Sequence, residues 1–111
     1  PRKIGDRRAR ELMLTNRVLH AQEALDWGVV NQVVADGEAL PAAQKLAAKL
    51  AQGPTQAYGQ VKALLDSSFD HSLESQMELE ARAIAGLVGS PDGQEGLHAF
   101  LDKRKPQFSG Q

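Results

Sequence analysis

The chain has no cysteine, and in 111 residues it carries one Trp, one Tyr and three Phe. The first absence rules out a disulfide framework and any cysteine-ligated metal site. No apolar run approaches the ~20 residues that a membrane-spanning helix needs, and no basic stretch followed by an apolar segment opens the chain as a secretion signal would. Neither sign of charge dominates, because 13 basic and 14 acidic side chains leave a net charge of -1. There is thus no bulk electrostatic case for a nucleic-acid or membrane partner. These absences describe a protein of cytoplasmic type.

What remains is rich in alanine and in leucine at helical spacing. Its length suits one domain, residues 1–111, with room for a real core. Ala9, Leu12 and Met13 give an apolar face to a helix over residues 6–14, which Thr15 and Asn16 end. Asparagine tolerates the left-handed conformation better than other non-glycine residues. A short helix over residues 21–27 follows. Leu40, Ala43, Leu46, Ala47, Leu50 and Ala51 form the stripe of a helix over residues 38–52, with Pro41 admissible in its first turn. Gly53-Pro54 stops it and starts another over residues 54–66. Ser72 is placed as the N-cap of a helix of about 16 residues, longer than the average of about 11–12. On its outer face Glu78 and Arg82 stand at i, i+4 spacing. Gly89 ends it. Ser90-Pro91, a cap followed by proline at the first helical position, opens a last helix over residues 91–103. Leu97, Phe100 and Leu101 are expected to pack inward from it, and Lys103-Arg104-Lys105 to lie against its negative end.

The stretch at residues 21–34, AQEALDWGVVNQVV, is of a different kind. Gly28 is suited to a left-handed helix stop. Val29, Val30, Val33 and Val34 then crowd six residues with β-branched side chains, the composition of a strand. The expected fold class is therefore mainly α, with about six helices and one short β-strand. No other segment reads as its partner, and a single strand is not a stable element. The unpartnered strand makes the chain read as a piece of something larger.

Few residues carry chemistry. His20, His71 and His98 are too scattered for a local metal or triad motif. Glu74, Glu78 and Glu80 crowd one helix, but a solvated face explains them better than an acid–base pair, which needs a pocket to shift its pKa. No phosphate-cradling glycine loop, nucleophile elbow or zinc spacing is present, so no catalytic and no metal-binding residue is assigned. Lys103-Arg104-Lys105, beside Phe100, is the one group with ligand potential, for a phosphate-bearing molecule. On the residues alone, capping and solvation of a helix end is the preferred explanation.

Taken in order, the segments resemble those of the enoyl-CoA hydratase/isomerase family, the crotonase superfamily. Pro1-Arg2, Ile4-Gly5, Arg8-Ala9, Glu11-Leu12 and Leu14-Thr15 resemble its segment just after the active-site region. AQEALDWGVVNQVV resembles its A-x-E-A-x-x-x-G-L-V-N-x-V-V signature. Gly53-Pro54, Val61-Lys62 and LESQMELEA at residues 73–81 follow with the expected spacing, and SPDGQEGLHAFLDKRKPQFSG at residues 90–110 resembles its C-terminal signature. Asn16 stands where the family usually has glycine, and His20 where it often has a serine, threonine or aspartate cap.

The resemblance implies that the chain is the helical C-terminal region of a crotonase-type fold without its core of ββα units, and that residues 29–34 would dock on that core. It implies a parent enzyme that hydrates or isomerises enoyl-CoA thioesters, through an enolate held in an oxyanion hole of two backbone N–H groups. Those groups and the catalytic glutamates lie outside this chain, so the isolated chain is expected to be inactive. No covalently bound cofactor is implied; coenzyme A enters as the thioester substrate. The implied partners are copies of the same protein, as a trimer or dimer of trimers. Leu46, Leu50, Leu64, Ile84 and Leu87 would be covered only in the full assembly. By the same resemblance Lys103 matches a lysine that contacts coenzyme A phosphate. Phe100 matches an aromatic near the adenine or acyl group, and Ile84 a position lining the pocket. A competing reading is a self-standing helical interaction module whose helix faces are its working surface.

Overall fold

The computed structural model describes residues 1–111 and contains six α-helices: α1 (Gly5–Thr15), α2 (Ala21–Asp26), α3 (Ala39–Ala51), α4 (Thr55–Ser67), α5 (Leu73–Val88) and α6 (Pro91–Leu101). They form two compact units, Pro1–Gln44 and Lys45–Gln111, with α3 running across the division.

In the first unit, α1 stops where asparagine was expected to stop it. Asn16 is left-handed (φ 49°), and its N–H donates to the carbonyl of Leu12. Behind it lies a polar cluster. Arg17 donates from Nε to Glu11 Oε1 at 2.7 Å, and from Nη1 and Nη2 to the two carboxylate oxygens of Glu23 at 2.9 and 2.7 Å. The guanidinium carbons of Arg17 and Arg8 lie 5.1 and 4.6 Å from the centre of the Trp27 ring, within cation–π range. Ala9 and Ala24 are the buried apolar residues of this unit.

The expected strand at residues 29–34 does not form. Gly28 (φ 71°) reverses the chain at the end of α2, and the N–H groups of Val29 and Val30 both donate back to the carbonyl of Ala24, at 2.8 and 3.3 Å. Two groups that a ladder would need are thereby committed to a helix stop. The rest of the stretch is irregular, with Val29, Val30 and Val33 exposed. β-Branched composition favours a pleated surface only where a neighbouring strand completes it.

The second unit is built on caps. Ser72 Oγ accepts from the N–H of Ser75 at 3.2 Å at the start of α5. At the α5–α6 corner one hydroxyl serves both helices: Ser90 Oγ accepts from Gly93 N–H at 3.0 Å and donates to the carbonyl of Leu87 at 2.8 Å. Gln94 Nε2 donates to the carbonyl of Val88 at 2.7 Å. The carbonyl of Val88 at the end of α5 is thus satisfied, and that of Leu87 takes the Ser90 hydroxyl in addition to the Ser90 N–H at 3.0 Å. The anticipated Glu78–Arg82 pair is present at 2.8 Å on the surface.

The expected core does not form, and the inward assignments on the last helix fail with it. No large side chain is fully buried anywhere in the chain; the buried residues are Ala9, Ala24, Asp92 and Ala99. On α6, Leu97, Phe100 and Leu101 are 49, 80 and 66% exposed. The inward face is instead made of small and polar residues: Asp92 and Ala99 are buried, and Gly96 lies where an added Cβ would be 3.6 Å from the Phe108 ring. Helical periodicity identifies a stripe, but which stripe is covered depends on what packs against it. Leu46, Leu50 and Ile84 are exposed, and Leu64 and Leu87 half-buried.

Two glycines of this unit should respond oppositely to alanine. At Gly93 a Cβ would collide with the carbonyl of Leu87, whereas at Gly86, inside α5, it would meet nothing within 4 Å. Gly93→Ala should open the α5–α6 corner, at a cost of about 1–3 kcal/mol. Gly86→Ala should stabilise the helix by roughly 0.5–1 kcal/mol. Denaturant unfolding of the two variants beside the parent reads both signs.

Candidate functional site

The three cations expected at the end of the last helix lie beyond it, because α6 stops at Leu101 rather than at Lys103. The stop is a complete left-handed turn: Arg104 N–H donates to the carbonyl of Ala99 at 3.0 Å and Lys103 N–H to that of Phe100 at 3.2 Å. The chain ends α2 in the same way, with Val29 N–H on Ala24 and Gly28 N–H on Leu25. At the left-handed position α2 has Gly28, whereas α6 has Lys103, with φ 54°. A side chain there costs roughly 1–2 kcal/mol that glycine avoids. A strained residue of this kind persists only where its surroundings hold it.

Two carboxylates on α6 provide the holding contacts. Glu95 takes Arg104 in a two-pronged pair (Nη1 to Oε1 2.6 Å, Nη2 to Oε2 2.8 Å), and its Oε1 also accepts the N–H of Gln107 at 2.7 Å. Buried Asp92 binds the end of the chain. Its Oδ1 accepts from the N–H and hydroxyl of Ser109 at 2.7 and 3.1 Å, its Oδ2 accepts from Gly110 N–H at 2.9 Å, and its own N–H donates to the carbonyl of Gln111 at 3.0 Å. The segment after Lys103 is therefore folded back along α6. Phe108 joins Pro54, Ala57, Leu87 and Gly96 around an apolar cavity of about 220 Å³. Hydrogen bonding from Arg104, and then from the Gln107 amide, pulls the Glu95 carboxyl down to about 2, and Glu95 in turn raises the Arg104 guanidinium. The Ser109 N–H, against the opposing effect of burial, lowers the Asp92 carboxyl.

The structure brings two of the three candidate ligand residues together. Phe100 and Lys103 share the turn through the backbone bond between them, and both are exposed. Ile84 is on α5, the preceding helix, and is 62% exposed. Of the three cations only Arg104 is engaged, with Glu95 and, at 3.5 Å, with Asp102; the ammonium groups of Lys103 and Lys105 make no ion pair with the chain. His71 lies between α4 and α5, His98 on α6, and His20 before α2. No group of three or more His, Asp or Glu side chains is close enough to hold a metal ion. The chemistry available at this site is recognition of an anion beside an exposed aromatic ring.

The sequence profile of the Enoyl-CoA hydratase/isomerase family matches residues 1–111, the entire length of the chain. The chain belongs to the enoyl-CoA hydratase/isomerase family. It is 42% identical to the 1,2-epoxyphenylacetyl-CoA isomerase of Escherichia coli (strain K12), over 99% of this chain and 42% of that protein. It is 40% identical to 4-chlorobenzoyl coenzyme A dehalogenase-1 of an Arthrobacter species, over 93% of this chain and 37% of that one. Among solved structures, the enoyl-CoA hydratase of Polaromonas sp. JS666 superposes with a TM-score of 0.92 at 30% identity, over 97% of this chain and 42% of its own. The chain thus spans about two-fifths of the length of the family members it matches, and those are crotonase-fold proteins.

The part that Asp92 and Glu95 play in holding the end of the chain was not visible in the sequence of this family member. Asp92 follows Ser90-Pro91 and reads as an ordinary acidic residue in a first turn. Glu95 and Arg104 stand nine residues apart, which is no helical spacing. The lysine at a helix-stop position normally given to glycine is the signal that could have pointed to the turn.

The Glu95 clamp should be visible in acid. Because its folded pKa of about 2 lies below the ordinary 4.5, its contribution is complete above pH 4.5 and is lost as pH falls from there towards 2. Glu95→Gln should lower the stability at neutral pH and flatten that part of the stability–pH curve. Equal curves for parent and variant in acid unfolding would show that the clamp contributes nothing.

Proposed function

We propose that this chain is the helical C-terminal part of an acyl-CoA enzyme, that it supports subunit assembly, and that it supplies part of the coenzyme A site. The observation that carries the reading is what the matched proteins have in common. An isomerase, a dehalogenase and hydratases are similar to this chain to much the same degree, and their names share only the coenzyme A thioester. A segment common to different reactions is suited to binding the shared handle of the substrate and to assembly, rather than to choosing the reaction. In the complete protein the reaction proposed is hydration or double-bond isomerisation of an enoyl-CoA. An oxyanion hole elsewhere in the protein would stabilise the enolate. On this reading the chain holds no catalytic residue, and the protein works in the cytoplasm as a trimer or dimer of trimers.

The binding roles fall on Lys103, Phe100 and Ile84. Lys103 would place its unengaged ammonium against a phosphate in a charge-assisted contact. Phe100 would offer its exposed ring to the adenine or acyl part, and Ile84 would line the pocket. The outward leucines of α3 and the exposed face of α5 are the surfaces proposed to be covered in the assembly, since apolar patches of this kind mark interfaces.

Removing the ammonium while keeping the turn is the direct test. Lys103→Gly should leave the fold as stable or more stable, by up to about 1 kcal/mol, and weaken coenzyme A binding about three- to tenfold. Isothermal titration of the intact protein in which the chain occurs measures the second quantity and thermal unfolding the first. Unchanged affinity would remove Lys103 from the site. The 111-residue chain alone should show no hydration of crotonyl-CoA above background, followed by loss of the conjugated thioester absorbance. Turnover by the chain alone would overturn the assignment of chemistry to another part of the protein.

A further inference from the structure

We infer that Glu95 is a positioning residue for coenzyme A binding: it acts through Arg104 and the Gln107 amide to hold the left-handed turn that presents Lys103. The inference rests on the proposed contact between Lys103 and a phosphate, and it adds a residue which that contact does not itself require.

Three observations lead to it. The turn places a lysine at the position where α2, closing with the same pair of backbone bonds, has glycine. Lysine does not favour that conformation by itself, so the backbone of residue 103 is determined by what is attached on either side. On the near side is the last turn of α6. On the far side the next residue, Arg104, is gripped through two nitrogens by Glu95, and the same carboxylate takes the amide of Gln107. One carboxylate thus fixes the chain both next to Lys103 and three residues further on. Glu95 is one helical turn before Ala99, whose carbonyl accepts the Arg104 amide. The clamp and the turn therefore share one short length of α6.

A residue that merely stabilised the helix end would affect binding whether or not the lysine were present. A residue that acts by presenting the lysine would affect binding only when the lysine is there. A double-mutant cycle separates the two. Coenzyme A is titrated into the intact protein carrying Glu95→Gln, Lys103→Gly, or both. Glu95→Gln should weaken binding about fivefold in the parent and produce no further loss in the Lys103→Gly background, because glycine holds the turn unaided and the ammonium is gone. Arg104→Gln breaks the same pair from its other side and should reproduce the pattern, so the outcome does not depend on one variant folding well.

Equal losses from Glu95→Gln in both backgrounds would reduce Glu95 to a general structural role. No loss from Glu95→Gln, where Lys103→Gly does weaken binding, would overturn the positioning role and leave the Lys103 contact standing. No loss from Lys103→Gly would remove the contact, and the inference with it.

Discussion

Small residues on the inward face of α6 cannot anchor anything by apolar burial alone, so polar contacts from that helix hold the end of the chain. Asp92 and Glu95 lie in the first half of α6, eight and five residues before Phe100; Asp92 accepts the backbone N–H groups of Ser109 and Gly110 in that segment, and Glu95 that of Gln107. Backbone amides are obligatory donors that must be paired wherever water is excluded, and a carboxylate accepts several at once. With the segment in place, Phe108 covers Gly96, Gln56 reaches the carbonyl of Gly110 at 3.4 Å, and the left-handed turn at Lys103 is closed.

The first unit follows the same logic. Its centre is a guanidinium rather than an aliphatic cluster. Arg17 joins Glu11 on α1 to Glu23 on α2 and lies against Trp27 just after it. The planar fork of arginine can meet a carboxylate with two bonds while its face meets an aromatic ring. Two short helices that bury only Ala9 and Ala24 are thereby kept together. Meanwhile the leucines of α3 and Ile84 and Val88 of α5 remain outward. Covering a side chain of this size is worth about 1.5–3 kcal/mol, so most of the stabilisation these stripes could provide is not realised within the chain. That fits a chain spanning about two-fifths of the family members it matches.

Much of this was legible from residue order. The six helices lie within two residues of where periodicity and stop signals put them, and Asn16, Gly28, Ser72 and Ser90-Pro91 perform the cap roles their chemistry suggests. The strand was misread because valine content states a preference that a partner must complete. The faces of α6 were misread because the larger residues were assumed to point inward, when the returning tail needs the small ones.

The division has one physical cause. Helix starts and stops depend on hydrogen bonds between residues no more than about six apart, so the sequence by itself determined where the helices run and how they end. The bonds of Glu95 to Arg104 and Gln107, and of Asp92 to Ser109 and Gly110, span nine to eighteen residues. They exist only because the chain reverses at Lys103, through a turn that lysine does not prefer. Only the tertiary structure decided which face of α6 is covered, that residues 29–34 form no strand, and that Lys103 stands at a held turn instead of on a helix.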